Sequence, residues 1–213
     1  YEVTAEQKAE RVGEFLPPDR LAALPTRYRK AVEEAALLYR FLENKGASLA
    51  PCFTPLLGPL DEAARALITT LLLPDMPAVP ADQQAFFAPS YRGLDDRDRA
   101  YYGQVANNLR RTLVYRNGVM PLGLLAFCLD HARATTDVPA GVFAAVRARF
   151  APLAAADLAA RLDHIKDFRN TYIAHQEHDL LDPAIAREEL ANWIAGLAAI
   201  HALSQNPDPE VRT

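Results

Sequence analysis

Seven residues near the end of the chain, Arg169-Asn170-Thr171-Tyr172-Ile173-Ala174-His175, put a cation that holds anions close to a side chain that titrates near neutral pH. On a helix from about Ala154 to His175, at about 100° per residue, Leu158, Leu162, Ile165, Tyr172 and Ile173 form one apolar stripe. Arg169 falls within roughly 20° of Leu162, near the middle of that stripe. A guanidinium buried there without a partner is costly. Either a carboxylate or carbonyl meets it, or Arg169 lines a cleft that takes an anion. His175 stands about 120° further round an ideal helix. The two side chains converge if the helix distorts near its end, or if a second copy of the chain faces the first.

Other clusters are weaker. Residues 92–116 carry Arg92, Arg97, Arg99, Arg110, Arg111 and Arg116 against Asp95, Asp96 and Asp98, with Tyr101, Tyr102 and Tyr115 interleaved. Arginines with aromatic rings can track a single nucleic-acid strand; a solvated helix face with i,i+4 pairs accounts for the same charges. His175, Glu177 and His178, with His164 before them, do not form H-E-x-x-H, and zinc wants three preorganised ligands, so no metal is expected. Phosphate-loop, dinucleotide and serine-hydrolase signatures are absent, and no cofactor is expected. Cys52 and Cys128 have no C-x-x-C spacing and read as buried small hydrophobes. Trp193 reads as a core anchor, and His131 and His201 as structural or surface residues.

The elements that must position these groups are helices. Alanine and leucine dominate, glycine is scarce and β-branched alternation is almost absent. Helices are expected over about Thr4 to Leu16, stopped by Pro17-Pro18; from Thr26, as N-cap, to a C-cap at Gly46; and over about Leu60 to Leu73. Residues 47–58 read as a loop, and 74–93, with Pro74, Pro77, Pro80 and Pro89, as a proline-rich excursion. Helices resume from about Asp95 to a stop at Asn117-Gly118, then over Pro121 to Ala134, Ala140 to Phe150, Ala154 to His175, and from Asp182-Pro183 to about Leu203. The expected architecture is all-α: one irregular bundle of about six to eight helices over residues 1–213, its motif-bearing part about 95–203 and a frayed tail at 204–213.

Lys166-Asp167-Phe168-Arg169-Asn170-Thr171-Tyr172-Ile173-Ala174-His175 resembles the signature of the HEPN superfamily, in which arginine and a following polar residue precede a histidine by four to six intervening residues. Ala174 before the histidine and Glu177 after it resemble members with an R-N-x-x-x-A-H pattern, among them abortive-infection and toxin–antitoxin proteins. The resemblance covers about 25 residues and does not extend to residues 47–93. It implies a helical bundle with the motif on a late helix, and metal-independent RNA cleavage at a homodimer interface. In that reading Arg169, Asn170 and His175 are catalytic. His175 moves a proton at a ribose 2′-hydroxyl, Arg169 holds the phosphate, Asn170 positions one of them, and Tyr172 stacks or hydrogen-bonds. Arg110, Arg111 and Arg116 are then expected in the RNA groove. The alternative is a noncatalytic RNA- or protein-interaction module, part of a larger defence protein or helicase.

Half the residues are hydrophobic, 23% are charged, and the net charge is −4. Charge-driven nucleic-acid binding over the whole surface is therefore disfavoured, and any such binding needs a local patch. Apolar runs fall well short of the ~20 residues a bilayer span needs, and no secretory signal opens the chain. With few cysteines, a cytoplasmic location is expected. The resemblance implies RNA, a second copy and an antitoxin as partners, and because the chain starts at Tyr1 rather than Met a domain preceding Tyr1 is an expected partner as well.

Overall fold

A computed structural model describes residues 4, 10–88, 93–134, 140–153, 156–174 and 181–206. Of these, 82% are helical and none lies in a strand. The fold is all-α. After a helical stretch at 10–13 come α1 (Pro18–Ala23), α2 (Thr26–Lys45), α3 (Thr54–Leu72), α4 (Pro80–Phe87), α5 (Asp96–Leu113), α6 (Pro121–Arg133), α7 (Val142–Phe150), α8 (Ala156–Phe168) and α9 (Pro183–Gln205). No described helix is long and apolar enough to cross a membrane. Backbone packing divides the chain into two compact units, Tyr1–Ala63 with Arg161–Ala202 and Ala64–Ala160 with Leu203–Thr213. All three cuts fall inside helices, α3, α8 and α9.

In the first unit α2 ends where expected. Gly46 adopts the left-handed conformation (φ 59°), and the N–H groups of Gly46 and Ala47 reach back to the carbonyls of Glu43 and Leu42. Its start differs from the sequence reading. Pro25 holds the cap position and Thr26 is already helical, its hydroxyl accepting from the Arg29 guanidinium at 3.1 Å. Prolines misled elsewhere too. Pro18 opens α1, since proline suits a first turn, whose N–H groups have no helical partner. Residues 47–58 are not a loop: a 3-10 turn at Ala50–Phe53 leads directly into α3, which holds Pro59 in its interior. The missing donor at Pro59 is outweighed by a buried stripe of Leu56, Leu60, Ala63, Ala64, Leu67 and Ile68.

The motif-bearing helix α8 is zipped to α9. Arg161 donates to the Asn192 side chain at 2.8 Å, His164 pairs with Glu189, and Gly196 lets the helices close until an added Cβ would stand 2.9 Å from Ile165 Cδ1. Below them Trp193 is fully buried, its ring 5.1 Å from Phe53 and 6.2 Å from Phe168. The Asp182 carboxylate caps α9, accepting from the Ala184 N–H at 2.8 Å.

In the second unit the proline-rich stretch holds α4, with Pro80 in its first turn. The α5 N-terminus is capped by Asp95, which accepts from the Asp98 N–H at 2.8 Å. Helices α5, α6 and α7 meet round an aromatic cluster. The His131 ring stacks on Phe127 at 5.3 Å and lies 5.8 and 5.5 Å from Tyr102 and Phe143. Burial, with the Arg147 charge adding to it, pushes the His131 pKa down to about 4. That imidazole is a neutral core residue. Cys52 and Cys128 are free and fully buried, and burial pushes the Cys52 thiol up to about 12.

Candidate active site and nucleic-acid interface

Helix α8 does not end as an α-helix. From Arg169 to Ala174 the backbone widens into a π-helix, so the helical path runs unbroken from Ala156 to Ala174 but changes its turn at the first residue of the motif. π-turns are rare, are poorly packed along their axis, and recur at functional positions. Here an aromatic floor carries the widened turn. Phe168 is buried, its ring 4.8 Å from Tyr172 and 5.0 Å from Phe53, and the Ala50–Phe53 turn lies directly against the π-turn. Distortion near the helix end is thus present. His175, Gln176, Glu177 and His178 lie outside the described residues, so the convergence of His175 on Arg169 lies there too.

Arg169 has a carboxylate facing it, though not bonded to it. Its Nη1 stands 4.0 Å from Asp61 Oδ1, its side chain one-fifth exposed. That separation exceeds a charge-assisted hydrogen bond, which closes at about 2.7–2.9 Å. Asp61 Oδ1 is itself buried and accepts no hydrogen bond among the described residues. The structure thus supplies a carboxylate opposite Arg169 at ion-pair distance, with no hydrogen bond between them. Asn170 and Tyr172 are half-buried beside it, and Thr171 is exposed.

The other candidate residues belong to the second unit. Arg110 and Arg111 close α5, and Arg116 follows in the connection to α6. None of the three has a carboxylate within ion-pair distance among the described residues. Arg110 instead lies over the Tyr115 ring at 5.7 Å. Of the other arginines in that stretch, Arg99 pairs with Asp96 as the solvated-face reading anticipates, and Arg92 lies outside the described residues.

Among the described residues no group of three or more His, Cys, Asp or Glu is placed to hold a metal ion. An open groove of about 560 Å³ in the first unit is lined by Glu14, Phe15, Tyr39, Glu43, Arg187 and Glu188, and no motif residue reaches it. Within it Glu14 pairs with Arg40 and Arg187, Glu43 pairs with Arg40, and the Tyr39 hydroxyl donates to Glu43 or the Pro183 carbonyl. Burial, reinforced by Glu43, pushes that phenol up to about 12, so it does not ionise near neutral pH. No family model, curated protein or solved structure matches the chain.

Two groups were missed in the sequence. Asp61 gave no signal because it sits 108 positions before Arg169 and reads as an ordinary acidic residue at a helix start. Phe168 was visible as an aromatic four residues before Tyr172, a spacing at which two side chains meet on an ordinary helix; the arrival of Phe53 against it was not.

Proposed function

We propose that the chain is a metal-independent endoribonuclease of the HEPN type, acting as a homodimer in phage defence or a toxin–antitoxin system. The observation that carries this is the coincidence of the π-turn with Arg169–Ala174: the one segment whose residue types suit RNA cleavage is also where α8 leaves its regular path. An arginine one-fifth exposed, facing a carboxylate it does not bond, is available to a phosphate.

In this reading His175 takes the proton of the ribose 2′-hydroxyl as its oxygen attacks the adjacent phosphorus. The new 2′-O–P bond forms as the P–O5′ bond breaks, and the departing 5′-oxygen receives a proton. Arg169 bears the charge that grows on the phosphoryl oxygens, while Asn170 and Tyr172 orient the nucleotide. The products carry 2′,3′-cyclic phosphate and 5′-hydroxyl ends, and a 2′-deoxy nucleotide at the cleaved position blocks the reaction. An antitoxin or a domain preceding Tyr1 would control it.

The test is purified wild type beside His175→Ala on a mixed RNA pool, with and without EDTA. Cleavage by wild type alone, insensitive to EDTA, is expected; equal cleavage by both proteins would remove the catalytic assignment. One observation favours a second reading, a noncatalytic helical interaction module. Asp61 opposite Arg169 is what a structural ion pair would supply, and that reading expects no cleavage from either protein.

A further inference from the structure

The connection between α5 and α6 is more heavily built than a short surface turn requires. Arg116 (φ 56°) and Met120 (φ 49°) both sit in the left-handed region, which side chains of their size seldom enter. Such residues persist only where their surroundings hold them, and they concentrate at sites of function. The holding groups are all here. The Asn108 side chain donates to the Val119 carbonyl at 2.6 Å and accepts from the Val119 N–H at 2.9 Å. Arg65 donates to the carbonyls of Arg116 and Gly118 at 3.2 and 3.4 Å, and the Asn117 N–H reaches the Arg111 carbonyl at 3.1 Å. Gly118 lies so close to Thr112 that a Cβ there would meet its Oγ1 at 1.9 Å.

What this frame holds outward is an unusual set. Tyr115, Val119 and Met120 are each about half exposed, and Arg116 is exposed beside them. Arg116 lies in this loop, Arg65 donates to its carbonyls, Arg110 lies over Tyr115, and Arg111 follows Arg110 in the last turn of α5; none of the four has a carboxylate within ion-pair distance among the described residues. The protein carries a net charge of −4, so four arginines in and beside one loop, without acidic partners among the described residues, mark a place for an external anion.

We propose that residues 114–120, with Arg65, Arg110 and Arg111, form a preformed binding site for single-stranded RNA in which Tyr115 is the stacking platform. The arginines suit phosphates, but the exposed ring and its apolar neighbours decide the class. Bases of a duplex are stacked and paired and offer no free face, whereas those of a single strand do. Arg110 lies over the Tyr115 ring, and the ring's exposure leaves surface for a base. An acidic peptide would use the charges and leave Tyr115, Val119 and Met120 without a role.

The choice of RNA over DNA rests on the cleavage reading above; the site itself is measured by binding. In the binding titrations every protein carries His175→Ala, so that the probe survives; cleavage is read separately, in wild type and in Tyr115→Ala with His175 intact. The probe is a fluorescent twelve-nucleotide RNA of mixed sequence, read by anisotropy against its own duplex and against polyglutamate. Single-stranded RNA is expected to bind at least tenfold tighter than either. Tyr115→Ala should weaken it about tenfold, the scale of one lost base stack, and Tyr115→Phe less than about twofold. Arg116→Asn keeps a residue tolerant of the left-handed backbone, and should flatten the slope of log affinity against log salt by about 0.7. Equal binding of duplex or polyglutamate, or an unchanged affinity in Tyr115→Ala, would overturn the proposal. A wild-type chain that binds RNA but does not cleave it removes the cleavage reading and leaves this site standing. A chain that cleaves, with Tyr115→Ala binding and cleaving normally, removes this site alone.

Discussion

At Arg169–Ala174 the backbone leaves the α-helical path by widening its turn, while at Arg116 and Met120 it crosses into the left-handed region. Both departures carry arginines, and the two are held by different forces. The connection at 114–120 is fixed by directed bonds: two from Asn108, two from Arg65 and one closing Asn117 onto α5. The π-turn rests on an aromatic floor of Phe53, Phe168 and Tyr172, and among the described residues the carboxylate that faces its arginine, Asp61, stands 4.0 Å away. Directed bonds fix a surface that must already have its shape when a ligand arrives. Packing under an unbonded arginine leaves a charge free to be claimed by one. The first arrangement suits binding, and the second suits a group whose partner appears only during a reaction.

The largest expected effects fall on the motif that begins with the π-turn. His175→Ala should lower RNA cleavage by ~10²–10⁴-fold, the usual range for a lost proton-transfer group. Arg169→Lys should cost a comparable factor, because lysine keeps the charge and loses the planar fork. Both variants should melt within a few degrees of wild type. Initial rates on a fixed RNA decide the matter, and full activity in Arg169→Lys would reduce Arg169 to a general cation.

The same contrast divides the histidines, since His131 supports the frame of the second unit and is withdrawn from chemistry by burial. Its pKa of about 4 lies below the usual 6.5, so above pH 6.5 it is neutral folded or unfolded and costs nothing. As the pH falls from 6.5 towards 4 the unfolded chain binds a proton that the folded chain refuses. Stability should fall over that window by roughly 3 kcal/mol. Urea midpoints between pH 4 and 7 should show this decline in wild type and a shallower one in His131→Phe; parallel curves would contradict the buried, neutral assignment.

Gly118→Ala tests the directed bonds. Its new Cβ would meet Thr112 Oγ1 at 1.9 Å and Thr112 Cα at 3.1 Å, so backbone must move, and about 1–3 kcal/mol is expected. Asn108→Ala should cost about 0.5–1.5 kcal/mol by removing two bonds to Val119 that lie at the surface, where water can replace them. Thr171→Ala, exposed on the π-turn, should change stability by less than about 0.5 kcal/mol. If the three variants shift the urea midpoint equally, the two regions are not held differently.

The sequence made the motif readable and left its setting hidden. Arg169 on an apolar stripe was visible from periodicity, and so was its demand for a partner, because helical phase is a local property. The π-turn was not, since it depends on Phe53 and Trp193 arriving from distant elements. At 114–120 only Asn117-Gly118 spoke locally, as a stop. The left-handed Arg116 and Met120 run against local preference and exist because Asn108 and Arg65 impose them. Prolines misled for the opposite reason. Pro51, Pro55 and Gly58 argued for a loop over 47–58, and a buried stripe in α3 overrode the signal of the last two.

The smallest predicted effect concerns Asp61, where the two readings of the first unit part. Both members of the pair are partly exposed, at 20% and 36%, and no hydrogen bond joins them. Pairs of this kind contribute about 0–1 kcal/mol. Neutralising Asp61 as Asp61→Asn keeps the side-chain shape and should leave the melting temperature within a few degrees. If Arg169 serves an anion, the carboxylate competes with that anion, and removing its charge should tighten inorganic phosphate binding by about two- to fivefold, the factor that 1 kcal/mol allows. Arg169→Ala in the same background should abolish the gain, which assigns the phosphate to Arg169 and not to the arginines at 114–120. If the pair is structural instead, Asp61→Asn lowers stability and leaves phosphate affinity unchanged. Phosphate titrations followed by thermal melting of wild type, Asp61→Asn and the double variant separate the two, and a stability loss without a gain in affinity would turn Arg169 from a catalytic group into a brace.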